Sequence, residues 1–315
     1  MEKRRLGRSG IEVPPLMFGG NVFGWTADEA TSFRLLDALL DAGCNAIDTA
    51  DVYSVWAPGH RGGESETVIG NWLKARGGRD KVVIATKVGM QMGSGDKGLS
   101  RRWITRAVED SLRRLRTDYI DLYQSHRDDE ETPLEETLRA FADLVTAGKV
   151  RAIGASNYTA PRLKEALATS ARLGLPRYES LQPHYNLLER ALFEPELEPV
   201  CREEGLGVIP YYSLAAGFLT GKYRSEADLG KSPRGGGVKK YLNERGFRVL
   251  GVLEDVAARH GAKPGQVALA WLIARPSVTA PIASATNLDQ LTDLVEAVRL
   301  KLDAGEIERI TRASG

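Results

Sequence analysis

Four side chains with complementary proton chemistry stand in or just after short apolar runs. Asp48 and Tyr53 lie in "AIDTADVYS" (residues 46–54), Lys87 lies in "VVIATKV" and His126 ends "IDLYQSH". A tyrosine loses its proton near pH 10, and a neighbouring ammonium lowers that pKa because it favours the phenolate. Lys87 can act on Tyr53 in this way, while Asp48 keeps Lys87 charged and in place. A neutral His126 can donate a hydrogen bond to a carbonyl oxygen. These residues predict a unit that moves a proton to or from such an oxygen.

The alternation of strands and helices predicts how these residues are positioned. Apolar runs expected to be strands cover residues 15–20, 45–50, 82–88, 120–126, 150–156, 180–186, 206–213 and 279–285. Between them, apolar residues recur three and four positions apart, as between Phe33 and Leu36, which is the period of a helix with one buried face. Alternating strands and helices imply a parallel sheet. Eight such units without a flexible linker favour an α/β fold, a closed (β/α)8 TIM barrel in a single domain (1–315), over two doubly wound domains.

Two segments depart from this rhythm. Residues 221–246 are a polar, glycine-rich insert after the seventh strand, and loops of that length are usually functional lids or disordered. Residues 302–313 predict an extra C-terminal helix, with Asp303 as its cap. In the fourth helix, Thr132–Pro133 predicts the N-cap and the first helical position, and Ala147–Gly148 predicts the end.

Composition argues against several classes of protein. The chain has 315 residues, of which 42% are hydrophobic, and a formal net charge of +1. A balanced charge gives no basic field for nucleic acid, so we expect no nucleic-acid partner. Cys44 and Cys201 are too few for a disulfide framework or a cysteine zinc site, and no metal is expected. The charged start "MEKRRLGRSG" does not resemble a secretory signal, and no run approaches the roughly 20 apolar residues that span a bilayer. We therefore expect a cytoplasmic protein that does not contact membranes.

In a (β/α)8 barrel the active site lies at the carboxyl ends of the strands. Almost every predicted strand from the second to the seventh ends on, or leads into, a polar side chain. The residues are Asp48, Tyr53, Lys87, His126, Ser156, Asn157, Gln182 and Tyr211. Each one alone is more often structural, but eight of them at one end of a barrel predict an active site.

The segment "GSGDKG" (93–98) matches the glycine pattern of a dinucleotide-binding turn. Its first glycine follows several residues after the apolar strand, and the next helix begins only near Ser100. A flexible barrel loop explains this spacing better than a Rossmann turn does.

Seven segments resemble, in order, the signature segments of the aldo-keto reductases. They are "AIDTADVYS", "VVIATKVG", "LYQSHRDD", "RAIGASN", "LQPHYNLLER", "YYSLAAGFLTGKYR" and "APIASATNLDQL". The resemblance covers nearly the whole chain, and "GHRGGESETVIGNWL" (59–73) is similar to bacterial members of the branch that includes the potassium-channel β subunits. It implies an NAD(P)H-dependent oxidoreductase that reduces aldehydes or ketones to alcohols, or runs in reverse. NADP is the family's usual cofactor, with NAD not excluded.

The resemblance also implies roles for individual residues. Asp48, Tyr53, Lys87 and His126 match the catalytic tetrad, with Tyr53 as the general acid in reduction. The residues expected around the nicotinamide are Gly20, Asn21, Ser156, Asn157, Gln182 and Tyr211. Those expected at the pyrophosphate are Ser213, Leu214, Ala215, Gly217, Lys222 and, from the insert, Arg234. Those expected at the adenosine half are Ser284, Thr286, Gln290 and Asp293.

The adenosine segment departs from the family pattern. Members that prefer NADPH usually offer Arg or Lys near the 2′-phosphate, yet no basic residue occurs from Pro276 to Glu296. Leu294 replaces the asparagine often found beside the adenine. The segment offers only neutral donors, such as Ser284, Thr286 and Asn287, so we expect a modest preference for NADPH.

Two other functions stay open at this point. The channel β subunits allow a nucleotide-sensing regulatory subunit with little turnover, whereas the intact tetrad and the absence of an N-terminal extension favour an enzyme. Lys87 as the Schiff-base lysine of an aldolase barrel is the other reading, and the Asp48–Tyr53 pair weighs against it. Aromatic residues in the loops, namely Phe23, Trp25, Trp56 and Trp103, either line an apolar substrate pocket or cover helix faces.

Overall fold

Eight parallel strands form the frame of the molecule. A computed structural model describes residues 1–315. An antiparallel hairpin, β1 (Arg4–Arg5) with β2 (Glu12–Val13), comes first and is not anticipated by the sequence patterns. The parallel strands are β3 (Met17–Gly19), β4 (Ala46–Asp48), β5 (Val83–Val88), β6 (Ile120–Ser125), β7 (Val150–Ser156), β8 (Tyr178–Gln182), β9 (Gly207–Val208) and β10 (Ile282–Ala283). They confirm all eight predicted strands.

The sheet closes on itself. Its hydrogen-bonded order is β10-β3-β4-β5-β6-β7-β8-β9. The first and last strands of this order, β10 and β9, meet at their ends, where the Thr279 amide donates to the Val208 carbonyl at 2.8 Å and the Ile282 amide donates to the Pro210 carbonyl at 2.9 Å. Closure leaves no exposed sheet edge. The predicted (β/α)8 TIM barrel is therefore confirmed.

Ten helices accompany the strands. They are α1 (Glu29–Asp41), α2 (Glu64–Arg76), α3 (Arg101–Leu115), α4 (Leu134–Thr146), α5 (Ala160–Leu173), α6 (Leu197–Glu204), α7 (Glu244–His260), α8 (Pro264–Ile273), α9 (Leu288–Arg299) and α10 (Ala304–Ala313). The predicted C-terminal helix is α10, and Asp303 caps it by accepting a hydrogen bond from the Glu306 amide at 2.8 Å. A second additional helix, α7, lies between β9 and α8 and packs against α10.

The start of α4 differs by one residue from the prediction. Thr132 does not cap the helix because its hydroxyl donates to Asp129 Oδ2 at 2.7 Å. Pro133 takes the N-cap position instead, with no side-chain hydrogen bond. The predicted end is confirmed, since Ala147 is the C-cap and Gly148 follows with φ of 73°.

Two buried clusters hold the barrel together. A cluster of 12 residues fills the interior and joins Leu6, Ile11 and Val13 of the hairpin region to strand residues such as Ala46 and Leu122. A cluster of 74 residues lies between strands and helices and runs along the chain from Leu16 to Ile310. We propose on this basis that the chain is one domain. None of its helices is both long and apolar enough to cross a bilayer.

The insert after the seventh strand is built from short 3-10 turns. They cover Glu226–Lys231 and Gly235–Tyr241, and Val238 and Tyr241 are buried. Another 3-10 turn, Ala215–Thr220, precedes the insert. Residues 93–98 form a loop before α3, whose N-cap is Ser100, as the sequence predicts.

Helices α2 and α3 approach each other closely at Gly70. A Cβ atom at Gly70 would lie 2.0 Å from the Arg114 carbonyl oxygen. One turn earlier on α2, the fully buried Glu66 accepts a hydrogen bond from Arg114 Nε at 2.7 Å and another from Thr86 Oγ1 at 2.6 Å. The glycine therefore permits the approach that forms this buried ion pair.

We predict that Gly70→Ala lowers the free energy of unfolding by about 1–3 kcal/mol, because the methyl group forces α2 and α3 apart. Gly251→Ala on α7 is the matched control, since no atom lies within 4 Å of the added Cβ. Helix propensity should make that change neutral or stabilising by up to about 1 kcal/mol. Urea unfolding measures both, and an undiminished stability of the Gly70 variant would contradict the close approach.

Candidate active site

Lys87 is the centre of a buried polar contact between β4 and β5. Its Nζ donates to Asp48 Oδ2 at 2.7 Å, to the Thr49 carbonyl oxygen at 2.7 Å and to the Tyr53 hydroxyl at 3.2 Å. The Lys87 side chain is fully buried and that of Asp48 is 2% exposed. Asp48 is in register with Ala85, two residues before Lys87, so both side chains point to the same face of the sheet. The structure thus joins the three residues that the sequence predicts to act together.

The loop that carries Tyr53 is fixed by the start of α2. The Tyr53 carbonyl accepts hydrogen bonds from the amides of Gly63 at 3.1 Å and Ser65 at 3.2 Å. The Glu64 carboxylate accepts from the amides of Ser54, Arg61 and Gly62 at 2.8–3.1 Å. These hydrogen bonds join the segment 59–73, which starts α2, to the loop that carries Tyr53.

Burial governs the protonation of Tyr53 and Lys87. Burial raises the pKa of the Tyr53 phenol above its ordinary value, and the Lys87 ammonium opposes the rise. The sequence predicts a net lowering, but here the desolvation outweighs the ammonium. Burial also acts to lower the pKa of Lys87, yet Asp48 and Tyr53 more than offset it and the pKa is raised. At neutral pH Tyr53 is therefore a phenol beside a charged ammonium, which is the form that donates a proton.

His126 faces the Tyr53 ring, with the two ring centroids 5.8 Å apart. Burial, followed by the charges of Lys87 and Arg127, holds the pKa of His126 well below its ordinary value. Neither ring nitrogen bonds to another protein group, and Nδ1 is buried. The imidazole is therefore neutral and free to donate a hydrogen bond to a substrate.

The second oxygen of Asp48 is held by two glutamines. Gln182 Nε2 donates to Asp48 Oδ1 at 2.8 Å, and Gln124 Nε2 lies 3.4 Å from the same oxygen. Gln182 is predicted beside the nicotinamide, and the structure places its amide against the tetrad carboxylate. Gln124 is not predicted, although its position two residues before His126 in an inward-facing register is a usable signal.

A second chain of hydrogen bonds links β6, β7 and the end of β9. Asn157 Nδ2 donates to the His126 carbonyl at 2.9 Å and to Ser156 Oγ at 3.0 Å. The Tyr211 hydroxyl donates to Asn157 Oδ1 at 2.8 Å. The Tyr211 ring stacks on His184, with centroids 5.2 Å apart and planes 22° from parallel. His184 is not predicted, and it fixes the plane of Tyr211 at the cavity wall.

A cavity of about 1270 Å³ opens at the carboxyl ends of the strands. The predicted site residues that line it are Asn21, Asp48, Tyr53, His126, Ser156, Asn157, Gln182, Tyr211, Ser213, Leu214, Gly217, Lys222, Arg234, Ser284, Thr286, Gln290 and Asp293. Lys87 lies behind the wall, and Gly20 and Ala215 are buried beside it, where Gly19 and Ala216 provide the surface. The roles of Gly20 and Ala215 in cofactor binding therefore stay predictions.

Of the four aromatic residues considered for a substrate pocket, two line the cavity. Trp25 and Trp56 form part of its wall. Phe23 does not, because it is fully buried and stacks on Phe18. Trp103 packs against the core from α3.

The far half of the cavity carries most of its basic residues. The Arg234 guanidinium and the Lys222 ammonium make no hydrogen bond or ion pair within the chain, and burial lowers the pKa of the Arg234 guanidinium. At the end formed by α9, Lys263 Nζ contacts both carboxylate oxygens of Asp293 at 2.7 and 2.8 Å. Lys263 is the N-cap of α8 and lies outside residues 276–296, so the sequence of that segment does not show its charge.

Comparison with known proteins agrees with this geometry. The family model for the aldo/keto reductase family matches residues 15–314. The chain belongs to the aldo/keto reductase family. Members of this family are oxidoreductases that generally use NAD(P)H.

Individual relatives cover almost the full chain. The uncharacterised oxidoreductase YrpG of Bacillus subtilis is 40% identical over 96% of this chain and 93% of its own length. The versiconal hemiacetal acetate reductase of Aspergillus parasiticus is 34% identical, over 98% and 95% of the two chains. A probable voltage-gated potassium channel subunit beta of rice, Oryza sativa subsp. japonica, is 35% identical, over 95% and 91%. This aldo/keto reductase is thus similar both to proteins named as oxidoreductases and to one named as a channel subunit.

Behind the tetrad lies a buried acid without a partner. Asp51 is 1% exposed and neither carboxylate oxygen forms a hydrogen bond. Burial, and then the neighbouring Glu66, raises the pKa of Asp51 well above its ordinary value. A raised pKa in the folded state means that folding favours the protonated acid. The contribution of Asp51 to the free energy of unfolding is therefore most favourable at low pH. That contribution is lost as pH rises from the unfolded pKa of about 4 through the folded pKa.

We predict that Asp51→Asn raises the free energy of unfolding at neutral pH and flattens its decline above pH 4. Each unit by which the folded pKa exceeds the unfolded one costs about 1.4 kcal/mol above both values. Urea unfolding from pH 4 to 8 measures the slope. Asp41→Asn, at an exposed position, should leave it unchanged. An unaltered slope in the Asp51 variant would show that this carboxyl does not titrate as proposed.

Proposed function

We propose that this aldo/keto reductase interconverts carbonyl compounds and alcohols with NAD(P)H, and that Tyr53 is its general acid and base. The contact of the Tyr53 hydroxyl with Lys87 Nζ, at 3.2 Å, carries the proposal. It places an ionisable phenol at the cavity wall with a charged ammonium behind it. Location in the cytoplasm and the absence of nucleic-acid partners stay predictions of the sequence.

The residues of the cavity fit a dinucleotide. Arg234 and Lys222 lack anionic partners within the protein, although burial disfavours an isolated guanidinium. A pyrophosphate would supply the missing negative charge. Tyr211 offers an aromatic face supported by His184, and Asn157 lies beside it with a side-chain amide. Bound NAD(P)H would supply the hydride.

The tetrad residues then handle the proton. His126, as a neutral imidazole, donates a hydrogen bond that orients the carbonyl oxygen. Tyr53 donates its proton to that oxygen as the carbonyl carbon is reduced. Lys87 stabilises the phenolate that remains, and Asp48 keeps the ammonium charged. In alcohol oxidation the phenolate of Tyr53 takes the proton back.

A regulatory subunit is the second candidate, because one relative is named as a channel subunit beta. Both functions need the nucleotide, so cofactor binding does not separate them. Steady oxidation of NADPH with 4-nitrobenzaldehyde favours the enzyme, and a single slow turnover favours the regulator. A Schiff-base role for Lys87 is disfavoured because its ammonium is buried, charged and engaged in three hydrogen bonds.

The adenosine end supports a modest preference for NADPH. Lys263 supplies a positive charge there, but Asp293 neutralises much of it and the Lys263 side chain is 65% exposed. The neutral donors are already engaged, since Ser284 donates to Asn21 Oδ1 at 2.7 Å and Thr286 donates to Gln290 Oε1 at 3.1 Å. A 2′-phosphate carries close to two negative charges and is held best by an unpaired cation.

We predict that Tyr53→Phe lowers the rate of hydride transfer by orders of magnitude, because the phenol oxygen supplies the proton. NADPH should still bind, since the aromatic ring is kept and only the hydroxyl, with its hydrogen bond from Lys87 Nζ, is lost. Stopped-flow measurement of NADPH oxidation with 4-nitrobenzaldehyde gives the rate, and tryptophan fluorescence gives the affinity. Near-normal hydride transfer in the variant would remove Tyr53 from the mechanism.

We predict that NADPH binds about tenfold more tightly than NADH, which corresponds to about 1.4 kcal/mol. Lys263→Met should reduce this ratio, because the methionine keeps the stem and removes the charge. Lys164→Met, at an exposed position of α5, is the control that should leave the ratio unchanged. Titration of tryptophan fluorescence with each cofactor measures the ratio. A thousandfold preference, or tighter binding of NADH, would contradict this account.

A further inference from the structure

Arg127 is a free guanidinium at the catalytic end of the cavity. It follows His126 at the end of β6, lines the cavity and is exposed. It forms no hydrogen bond or ion pair with any group of the chain. Its acidic neighbours have other partners, since Asp128 accepts from Arg162 Nε at 2.9 Å and Asp129 accepts from the Leu99 amide at 2.7 Å. The arginine is therefore available to a ligand.

The surrounding wall is aromatic. The Trp56 ring lies edge-on to Trp25, with centroids 5.6 Å apart, and to Tyr53, with centroids 5.5 Å apart. Trp56 is 46% exposed and Tyr212 is 50% exposed, and both line the cavity. Large aromatic side chains exposed to a cavity favour a flat apolar ligand. This wall and Arg127 lie on the same side as the Tyr53 hydroxyl.

The charge at this end of the cavity is not compensated by the protein. Asp48 is the acid of this end, and it is engaged by Lys87 and Gln182. The other acid of the cavity wall, Asp293, pairs with Lys263 at the far end. Arg127 therefore leaves one net positive charge beside the catalytic phenol. Its nearness to His126 is evident because its charge helps to lower the pKa of that imidazole, after burial and Lys87.

We propose that the substrates of this site are carbonyl compounds that carry a carboxylate on a flat apolar body, and that Arg127 binds the carboxylate. A guanidinium matches the two oxygens of a carboxylate in a fork of parallel hydrogen bonds. A single cation suits one negative charge better than the two of a phosphate monoester. This inference rests on the proposed function, because it concerns the substrate of the same reaction. Hydride adds to the carbonyl carbon and the Tyr53 proton adds to its oxygen, so the product is a hydroxy acid and the carboxylate is unchanged.

The test compares an acid with its neutral ester. Wild-type protein is assayed with NADPH and 4-formylbenzoate, 3-formylbenzoate and the methyl ester of each. The two isomers sample two distances between carbonyl and carboxylate. We expect at least one acid to have a kcat/KM about tenfold or more above that of its ester, mainly through a lower KM. The ratio should fall as salt concentration rises, because the exposed charge of Arg127 is screened.

Variants of Arg127 test whether this residue causes the preference for the acid over its ester. Arg127→Met should reduce the acid-to-ester ratio to near one, and Arg127→Lys should give an intermediate ratio, because it keeps the charge but loses the fork. Arg202→Met is the matched control, since this exposed arginine of α6 has no side-chain partner and does not line the cavity. It should leave the ratio unchanged. Fluorescence titration with NADPH should give the same affinity for the Met variant and the wild type.

Three results would overturn the inference. The first is an acid-to-ester ratio near or below one in the wild type, and the second is a high ratio that survives in Arg127→Met. The third is a large loss of NADPH affinity in that variant, which would make Arg127 a cofactor residue. The failure of the proposed function looks different, because then neither the acids nor the esters nor 4-nitrobenzaldehyde would be reduced.

Discussion

The buried ammonium of Lys87 is the constraint on which the active site depends. A fully buried charge is tolerated only when it is paired and hydrogen-bonded, and removing one partner of such a pair typically costs about 3–5 kcal/mol. Asp48 meets this requirement from the neighbouring strand, and the Thr49 carbonyl and Tyr53 hydroxyl accept the remaining hydrogen bonds. The requirement fixes the β4–β5 register, the path of the chain after Asp48 and the position of the phenol at once.

The constraint extends across the barrel through Asp48. Its other oxygen accepts from Gln182 at the end of β8, on the opposite side of the interior. From β8 the Gln182 carbonyl accepts from Ser156 Oγ at 2.9 Å, and Ser156 in turn accepts from Asn157. Asn157 holds the His126 backbone and the Tyr211 hydroxyl. The proton-donating group and the wall proposed for the nicotinamide are thus parts of one hydrogen-bonded system. Within it, the position of each strand end constrains the positions of the others.

The sequence predicts the parts of this system that lie on strands. Strand ends are recognisable because a buried run must stop before a polar side chain, and this is how Asp48, Lys87 and His126 are found. Contacts made by distant elements leave no such local signal. Lys263 reaches Asp293 from another helix, and His184 supports Tyr211 through a stacking that no spacing indicates. Periodicity also cannot separate an aromatic residue that lines a cavity from one in the core. The sequence therefore leaves both possibilities open for four loop aromatics, of which Trp25 and Trp56 line the cavity and Phe23 and Trp103 do not. The start of helix α7 lies within the glycine-rich insert, whose composition is typical of a loop, so the sequence does not show where this helix begins.

The pH dependence of alcohol oxidation in Lys87→Met tests the central claim most directly. Oxidation needs the Tyr53 phenolate, and the ammonium opposes the rise that burial imposes on the pKa of that phenol. Without the ammonium, we expect the rate of hydride transfer from a benzyl alcohol to NADP to rise only at higher pH than in the wild type. A deuterium isotope effect on the alcohol should confirm that hydride transfer is measured, and Lys97→Met, at an exposed position, should keep the wild-type profile. A folded, cofactor-binding Lys87 variant with an unchanged profile would contradict the coupling of Asp48, Lys87 and Tyr53.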